Sequence, residues 1–459
     1  YYVEVFTTEE GASSDVYGYV VAADDGRVLS RQNLTAEASF KYRVWADAEG
    51  DHRPFDGPVA DFTPLASGVP DGSVPPFVAP NLVTMDGFNK NADPWLAAGA
   101  TESKGNNVDA YTDHDDSNSP SGGDLRASVT APGELDRTYD TSKSPVSSPD
   151  QEMAAVTQLF YTTNWLHDYW YDSGFDEAAG NAQADNYGRG GDAGDPLLAE
   201  AQDAFDQGAS DNANMATPDD GESPRMQMYV WTGNETRSLT TSALAQSPQT
   251  GVAEFGPSSF DLTGTLALAD DGVAVNSNAC EPIVNDISGK IALVDRGVCT
   301  FHEKALNIQN AGGIGMLLAN NQNGSPPFMP GSNLADVTIP VLSITKADGT
   351  TLKTAIAAGP VTATLQRQGG VQVDGTIDNL IVSHEWGHYI HHRLVGCQLN
   401  QCGGQSEGWG DFLALTTQLR DTDDLDGVFS DSTYAASATP DYTYFGVRRY
   451  PYSVDMTKN

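Results

Sequence analysis

Residues 383–396, "SHEWGHYIHHRLVG", set four histidines and one glutamate within nine positions, 384 to 392. Histidines four apart meet only on a helix, where i and i+4 share a face one turn apart. His384 and His388 can then grip one metal ion, with Glu385 beside it, the His-Glu-x-x-His arrangement. The apolar lead-in "IDNLIV" (377–382) and the absence of Gly and Pro from 388 to 395 predict that helix. His391 and His392 lie near the same face. His392, however, is eight residues past His384, about 12 Å along the axis, whereas a metal–nitrogen bond spans about 2 Å. These two are expected to cover the helix's outer end or to pair with carboxylates. The longer motif with Gly at 391 and His at 394 fails, because the chain has His391 and Leu394.

A catalytic zinc usually takes three protein ligands and keeps one position open for water. Nineteen residues past His388 lies Glu407, within "GGQSEGWGDFLAL" (403–415), where it shares a helical face with Asp411. Glu407 is read as the third ligand. Asp411 is read as the carboxylate that accepts the other ring N–H of a ligand histidine, His384.

With these residues in place the chain resembles the fungalysin metalloendopeptidases, relatives of thermolysin. The likeness also runs through "TQLFYTTNWLHDYWYDSGFDEAAGN" (157–181), "DNANMATPDDGESPRMQMYVW" (211–231), "DGTIDNLIVSHEWGHYI" (374–390), "SEGWGDF" (406–412) and "GVRRYPYS" (446–453). Fungal members carry Thr-His-Gly where this chain has Gly387, His388 and Tyr389, and they lack the His391–His392 pair. These departures bear on substrate fit and leave the ligands untouched. The resemblance implies an α+β, thermolysin-like zinc peptidase: a β-rich N-terminal part, the zinc helix, and a helical C-terminal part. It implies a secreted Zn²⁺ endopeptidase, made as a zymogen, that cuts internal bonds of proteins or peptides. A zinc-activated water would attack, with Glu385 as general base and then proton donor to the leaving amine. The histidine that stabilises the oxyanion in the family lies in a segment expected beyond Asn459. A zinc aminopeptidase, or a non-catalytic binding protein that keeps the fold, are the alternatives.

The 63 acidic against 24 basic residues give a formal charge of −39, which disfavours nucleic acid and anionic membrane as partners. No run of 18 apolar residues occurs, so no membrane span is expected. In a secreted acidic enzyme the cysteines read as two local disulfides, Cys280 with Cys299 and Cys397 with Cys402, since neither pair has Cys-x-x-Cys spacing.

Four segments are expected. Residues 1–39 open without methionine, a charged stretch and an apolar run, so any signal peptide is expected upstream of Tyr1, and the alternating "YYVEVF" and "YGYVVAADDGRVLSR" imply two strands around the turn "ADDGR". They look like the tail of the enzyme's own propeptide, with processing between 36 and 50; an edge hairpin of the mature enzyme is the alternative. Residues 40–236 form the N-terminal part of the peptidase. There, helix 152–171 buries one face through Val156, Leu159, Phe160, Leu166 and Trp170, and His167 and Asp168 make a polar core contact. In "NANM" (212–215), Asn212 and Ala213 fall where thermolysin-like enzymes pair an edge strand with the substrate backbone. Residues 237–368 form an inserted α/β domain with a βαβ unit, similar to protease-associated domains down to Asp295, Arg296, Gly297 and Cys299, the first two with a structural role. Residues 369–459 carry the zinc helices. After them Asp421, Asp423, Asp424 and Asp426 crowd ahead of Gly427, a candidate Ca²⁺ loop or a solvated acidic surface.

Overall fold

Ser148 starts the helix around which the first part of the molecule is built. Its hydroxyl accepts from the Gln151 N–H, and Asp150 and Glu152 place negative charge in the first turn of α1, Pro149–Asp172. The computed structural model describes residues 1–7, 15–23, 26–33, 40–273, 277–331, 336–396 and 399–458. It divides into one unit of Tyr1–Thr232 with Val371–Asn459 and another of Gly233–Gly370.

In the first unit α1 is buried far beyond the single face expected: 18 of its 24 residues are inside, while Trp170 is only half-buried. The reason is position, since α1 packs against the sheet strands Val108–Thr112 and Leu197–Ala201 on one side and the metal-site helix on the other. Its buried polar groups are matched accordingly. Asn164 Oδ1 accepts from Asn107, Thr162 and Gln158 donate to Asn379, and Asp168 accepts from His167 Nδ1, Trp95 Nε1 and the Phe88 N–H. The sheet runs Val108–Thr112, Leu197–Ala201, Arg225–Met228, Ala213–Ala216, with the first three parallel and the last antiparallel at an edge. "KYRVWAD" begins in strand Phe40–Val44, between Asn81–Met85 and Glu134–Leu135. At the start of the chain Tyr2–Thr7, Asp15–Val21 and Val28–Asn33 form a three-stranded antiparallel sheet, one strand more than expected, because the second stretch turns back on itself. Asp24 and Asp25 of that turn lie outside the described residues.

The unit Gly233–Gly370 holds a seven-stranded sheet. Its middle strands Phe260–Leu268, Ile291–Asp295, Gly315–Ala319 and Val341–Ile344 run parallel. α2 (Phe301–Asn310) lies between the second and third of them and α3 (Lys346–Ala358) follows the fourth, capped by Thr300 and Thr345, so Ile291–Asp295, α2 and Gly315–Ala319 are a βαβ unit. Cys280 is bonded to Cys299, and the buried Lys304 ammonium lies 3.2 Å from both sulfurs and donates to Asn278 O at 2.6 Å. Asp295 pairs with Lys353, and Arg296 Nη1 donates to Asn320 Oδ1 at 3.3 Å.

Two long helices follow in the first unit, α4 (Asn379–Leu394) and α5 (Asn400–Gln418), and the short helix Tyr442–Phe445 comes after them. Cys402 at the start of α5 is disulfide-bonded; Cys397, expected as its partner, lies outside the described residues.

Candidate metal centre

α4 is fixed at its start before any metal is considered. Asp378 accepts from the Leu380 and Ile381 N–H groups as N-cap and from Ala435 N, and Asn379 Nδ2 donates to Phe55 O at 2.6 Å. Ile381, Val382, Trp386 and Tyr389 anchor one side in the core, so His384, Glu385 and His388 fall on the side toward α5. There the two helices come into backbone contact: a Cβ added at Gly387 would lie 2.7 Å from Gly410 Cα. That approach carries Glu407 over the histidines.

The resulting geometry is a donor triangle. His384 Nε2 is 3.3 Å from Glu407 Oε2, His388 Nε2 is 3.6 Å from Glu407 Oε1, and ligand atoms from all three residues lie within 4.8 Å of one another. Both Nδ1 atoms are engaged elsewhere, His384 with Asp411 Oδ1 at 2.6 Å and His388 with Ser406 Oγ at 2.7 Å. Each ring is thus oriented with Nε2 toward the shared point. Two imidazoles and one carboxylate are a donor set that suits Zn²⁺, and Glu407, 60% exposed, leaves the triangle open to solvent on its side.

Electrostatics favour a cation here. Burial would depress the His384 imidazole, but Asp411 and Glu407 outweigh it and hold its pKa up at about 10. Burial, then the neighbouring His384 charge, pushes His388 down to about 4. Glu385, 3% exposed with Oε2 lacking a hydrogen-bond partner, is raised to about 7 by burial, with Glu407 adding and His384 opposing. Burial also works to raise Asp411, but bonds from His384, Arg448 and Tyr452 hold it well below the usual carboxylate range.

Residues missed from the sequence surround this triangle. Arg448 Nε donates to Asp411 Oδ2 at 2.7 Å, Tyr452 donates to the same oxygen, and the Arg448 guanidinium lies 3.7 Å from buried Asp431. Their only sequence signal is that Arg448 and Tyr452 fall in "GVRRYPYS". His392 Nε2 meets Ser406 Oγ at 3.0 Å, and buried His391 has neither ring nitrogen hydrogen-bonded. Both lie in the last turn of α4, the first of the two places expected for them, and neither pairs with a carboxylate, because Ser406 takes His392 and the helix packing encloses His391. Ala213 begins the sheet-edge strand, with Asn212 just before it, and that strand packs beside α4. Asp421, Asp423, Asp424 and Asp426 do not gather into a metal-sized group among the described residues. Asp423 instead accepts from Arg420 N and Asp424 from Asp426 N.

A helix bearing His-Glu-x-x-His, closed by Glu407 and Asp411 from the next helix, defines a metallopeptidase-type site. The chain belongs to the fungalysin metallopeptidase family (M36), whose model matches residues 80–459. It is 36% identical over 183 residues to the extracellular metalloproteinase mep of Aspergillus flavus, covering 38% of this chain and 27% of that protein. It is 35% identical over 201 residues to extracellular metalloproteinase 2 of Trichophyton rubrum, covering 40% of this chain and 29% of that protein. The chain therefore spans little more than a quarter of the length of the curated relatives it matches. A solved zinc aminopeptidase from Bacillus subtilis matches 36% of this chain and 35% of its own at 23% identity, with a TM-score of 0.26. No helix among the described residues is long and apolar enough to cross a membrane.

Proposed function

We propose that the protein carrying this chain is a secreted zinc-dependent endopeptidase acting on extracellular proteins or peptides. The observation that carries the reading is the donor triangle His384, His388 and Glu407 with the buried Glu385 carboxylate next to it in sequence and on the same helix. Relatives named as extracellular metalloproteinases support the setting.

His384, His388 and Glu407 would hold the metal. When bound, zinc polarises a carbonyl and makes water a nucleophile near neutral pH. Glu385 takes the proton of the attacking water and delivers it to the leaving amine; its carboxylate is raised toward neutrality by burial, the range a general base needs. Asp411 fixes the orientation and tautomer of His384, and Ser406 does the same for His388. The edge strand at Ala213, with Asn212 before it, offers unpaired backbone groups beside α4, so an extended peptide can add as a further strand and bring its carbonyl to the site. The unit Gly233–Gly370, a mixed sheet with parallel middle strands, flanking helices and the Cys280–Cys299 bond, fits the protease-associated reading.

The test is cleavage of an internally quenched peptide blocked at both termini by the full-length protein, before and after chelation and after adding one equivalent of Zn²⁺. Internal cleavage, lost on chelation and restored by zinc, is expected. Cleavage only of peptides with a free N-terminus would replace the reading with an aminopeptidase.

A further inference from the structure

Strands Val108–Thr112 and Leu197–Ala201 are parallel neighbours, with Thr112 opposite Ala201. Their carboxyl ends therefore deliver side chains to one place: Asp113 from the first, Glu200 and Asp203 from the second. One oxygen from each lies within 4.8 Å of the others, and all three residues are at most trace-exposed, at 0% each.

Three buried carboxylates at this spacing repel one another unless something positive sits among them. The protein's own groups supply little. Asp113 is used by the Ser117 and Asn118 N–H groups, and Glu200 Oε1 by the Tyr111 hydroxyl at 2.8 Å. Glu200 Oε2 has only Arg225 Nε, 3.4 Å away and not hydrogen-bonded to it. Asp203 Oδ2 accepts from Gln227 Nε2 at 3.0 Å, while Asp203 Oδ1 is fully buried with no hydrogen-bond partner; Tyr229, close by, donates to Asn214 instead. Asp115 and Asp124 form an overlapping group with Asp113, which adds negative charge, and among the described residues Arg225 is the one cation paired with the cluster.

We propose that Asp113, Glu200 and Asp203 form a binding site for a divalent cation, Ca²⁺. The donors are all carboxylate oxygens, the choice of a hard cation rather than zinc. Oxygens opposed across Ca²⁺ at 2.3–2.6 Å each stand up to about 5 Å apart, which matches the spacing here. Burial, reinforced by the neighbouring carboxylates, pushes Glu200 up to about 8 and Asp203 up to about 6, as expected of groups built to be neutralised. The site also has a route to the metal-centre side of the sheet. Gln227, which donates to Asp203, accepts from Asn214 Nδ2 at 2.7 Å, and Asn214 belongs to the edge strand. A cation on Asp203 would thereby hold Gln227 and steady that strand.

The experiment uses the full-length protein freed of divalent ions and reloaded with one equivalent of zinc, titrated with CaCl₂ by calorimetry and with Tb³⁺ by luminescence excited through tyrosine. Tyr111 touches Glu200, so bound Tb³⁺ is expected to be sensitised. One saturable Ca²⁺ site and a higher melting temperature are expected. Asp203→Asn and Glu200→Gln should each weaken binding at least ~10-fold, while without Ca²⁺ both variants melt no lower than the parent, because each replaces a buried acid whose charged form the site penalises. A merely structural role for these carboxylates would instead lower stability in every condition. Neither heat nor a melting shift up to about 10 mM Ca²⁺ would overturn the proposal. So would binding that survives both variants but is lost in Asp423→Asn/Asp424→Asn, which would place the site in the 421–426 loop.

Discussion

Asp411 Oδ1 lies 2.6 Å from His384 Nδ1, and the same carboxylate is gripped from behind by Arg448 and Tyr452. The histidine is thus held at the end of a charged relay spanning α4, α5 and the segment after them. Asp411→Ala should lower zinc affinity by about 10–100-fold, the usual effect of removing a carboxylate that orients a ligand histidine. Zinc competition with a chromogenic chelator measures it; unchanged affinity would detach Asp411 from the site.

Glu407 and the outer histidines separate the ligand set from its surroundings. Glu407→Ala should weaken zinc binding by at least ~10²-fold, and His391→Ala and His392→Ala by less than ~10-fold. His392 meets Ser406 and lies against the His388 and His391 rings, so its loss reaches the metal indirectly. A larger effect at either outer histidine than at Glu407 would show that the triangle has been assigned to the wrong residues.

Removal of Gly233–Gly370 tests whether the first unit is self-sufficient. Trp231 pairs with Val373 and Val230 with Asp374 in an antiparallel ladder, so the strands that lead into the cut lie about 5 Å apart. Joining Thr232 to Val371 should give a protein that binds zinc and unfolds cooperatively in calorimetry. A chain without a cooperative transition would mean that the excised residues share a core with the rest.

The pair His384 and His388 was legible because helical periodicity alone decides it, and Glu407 followed from the interval to a second helix. The Cys280–Cys299 bond was legible from local spacing. Arg448 and Asp431 were not, since they reach the site by tertiary approach from 64 and 47 residues after His384. The helix Pro149–Asp172 misled through its sequence pattern, because a helix covered on both sides tolerates buried Thr, Asn and Gln wherever partners exist. The acidic run 421–426 shows the opposite limit: adjacency in sequence did not bring its carboxylates together among the described residues. Carboxylates adjacent in a loop can point apart and bind backbone N–H groups, whereas Asp113 and Asp203, 90 residues apart, are brought together by parallel strand ends.

The most direct test of the zinc-peptidase account is Glu385→Gln in the full-length protein, with zinc content and cleavage of an internally quenched peptide measured on the same sample. Glu385 is buried on the metal helix and holds no position in the donor triangle. The account predicts one equivalent of retained zinc with activity lowered by at least ~10³-fold, as befits loss of the general base. Activity near that of the parent, with zinc retained, would contradict it.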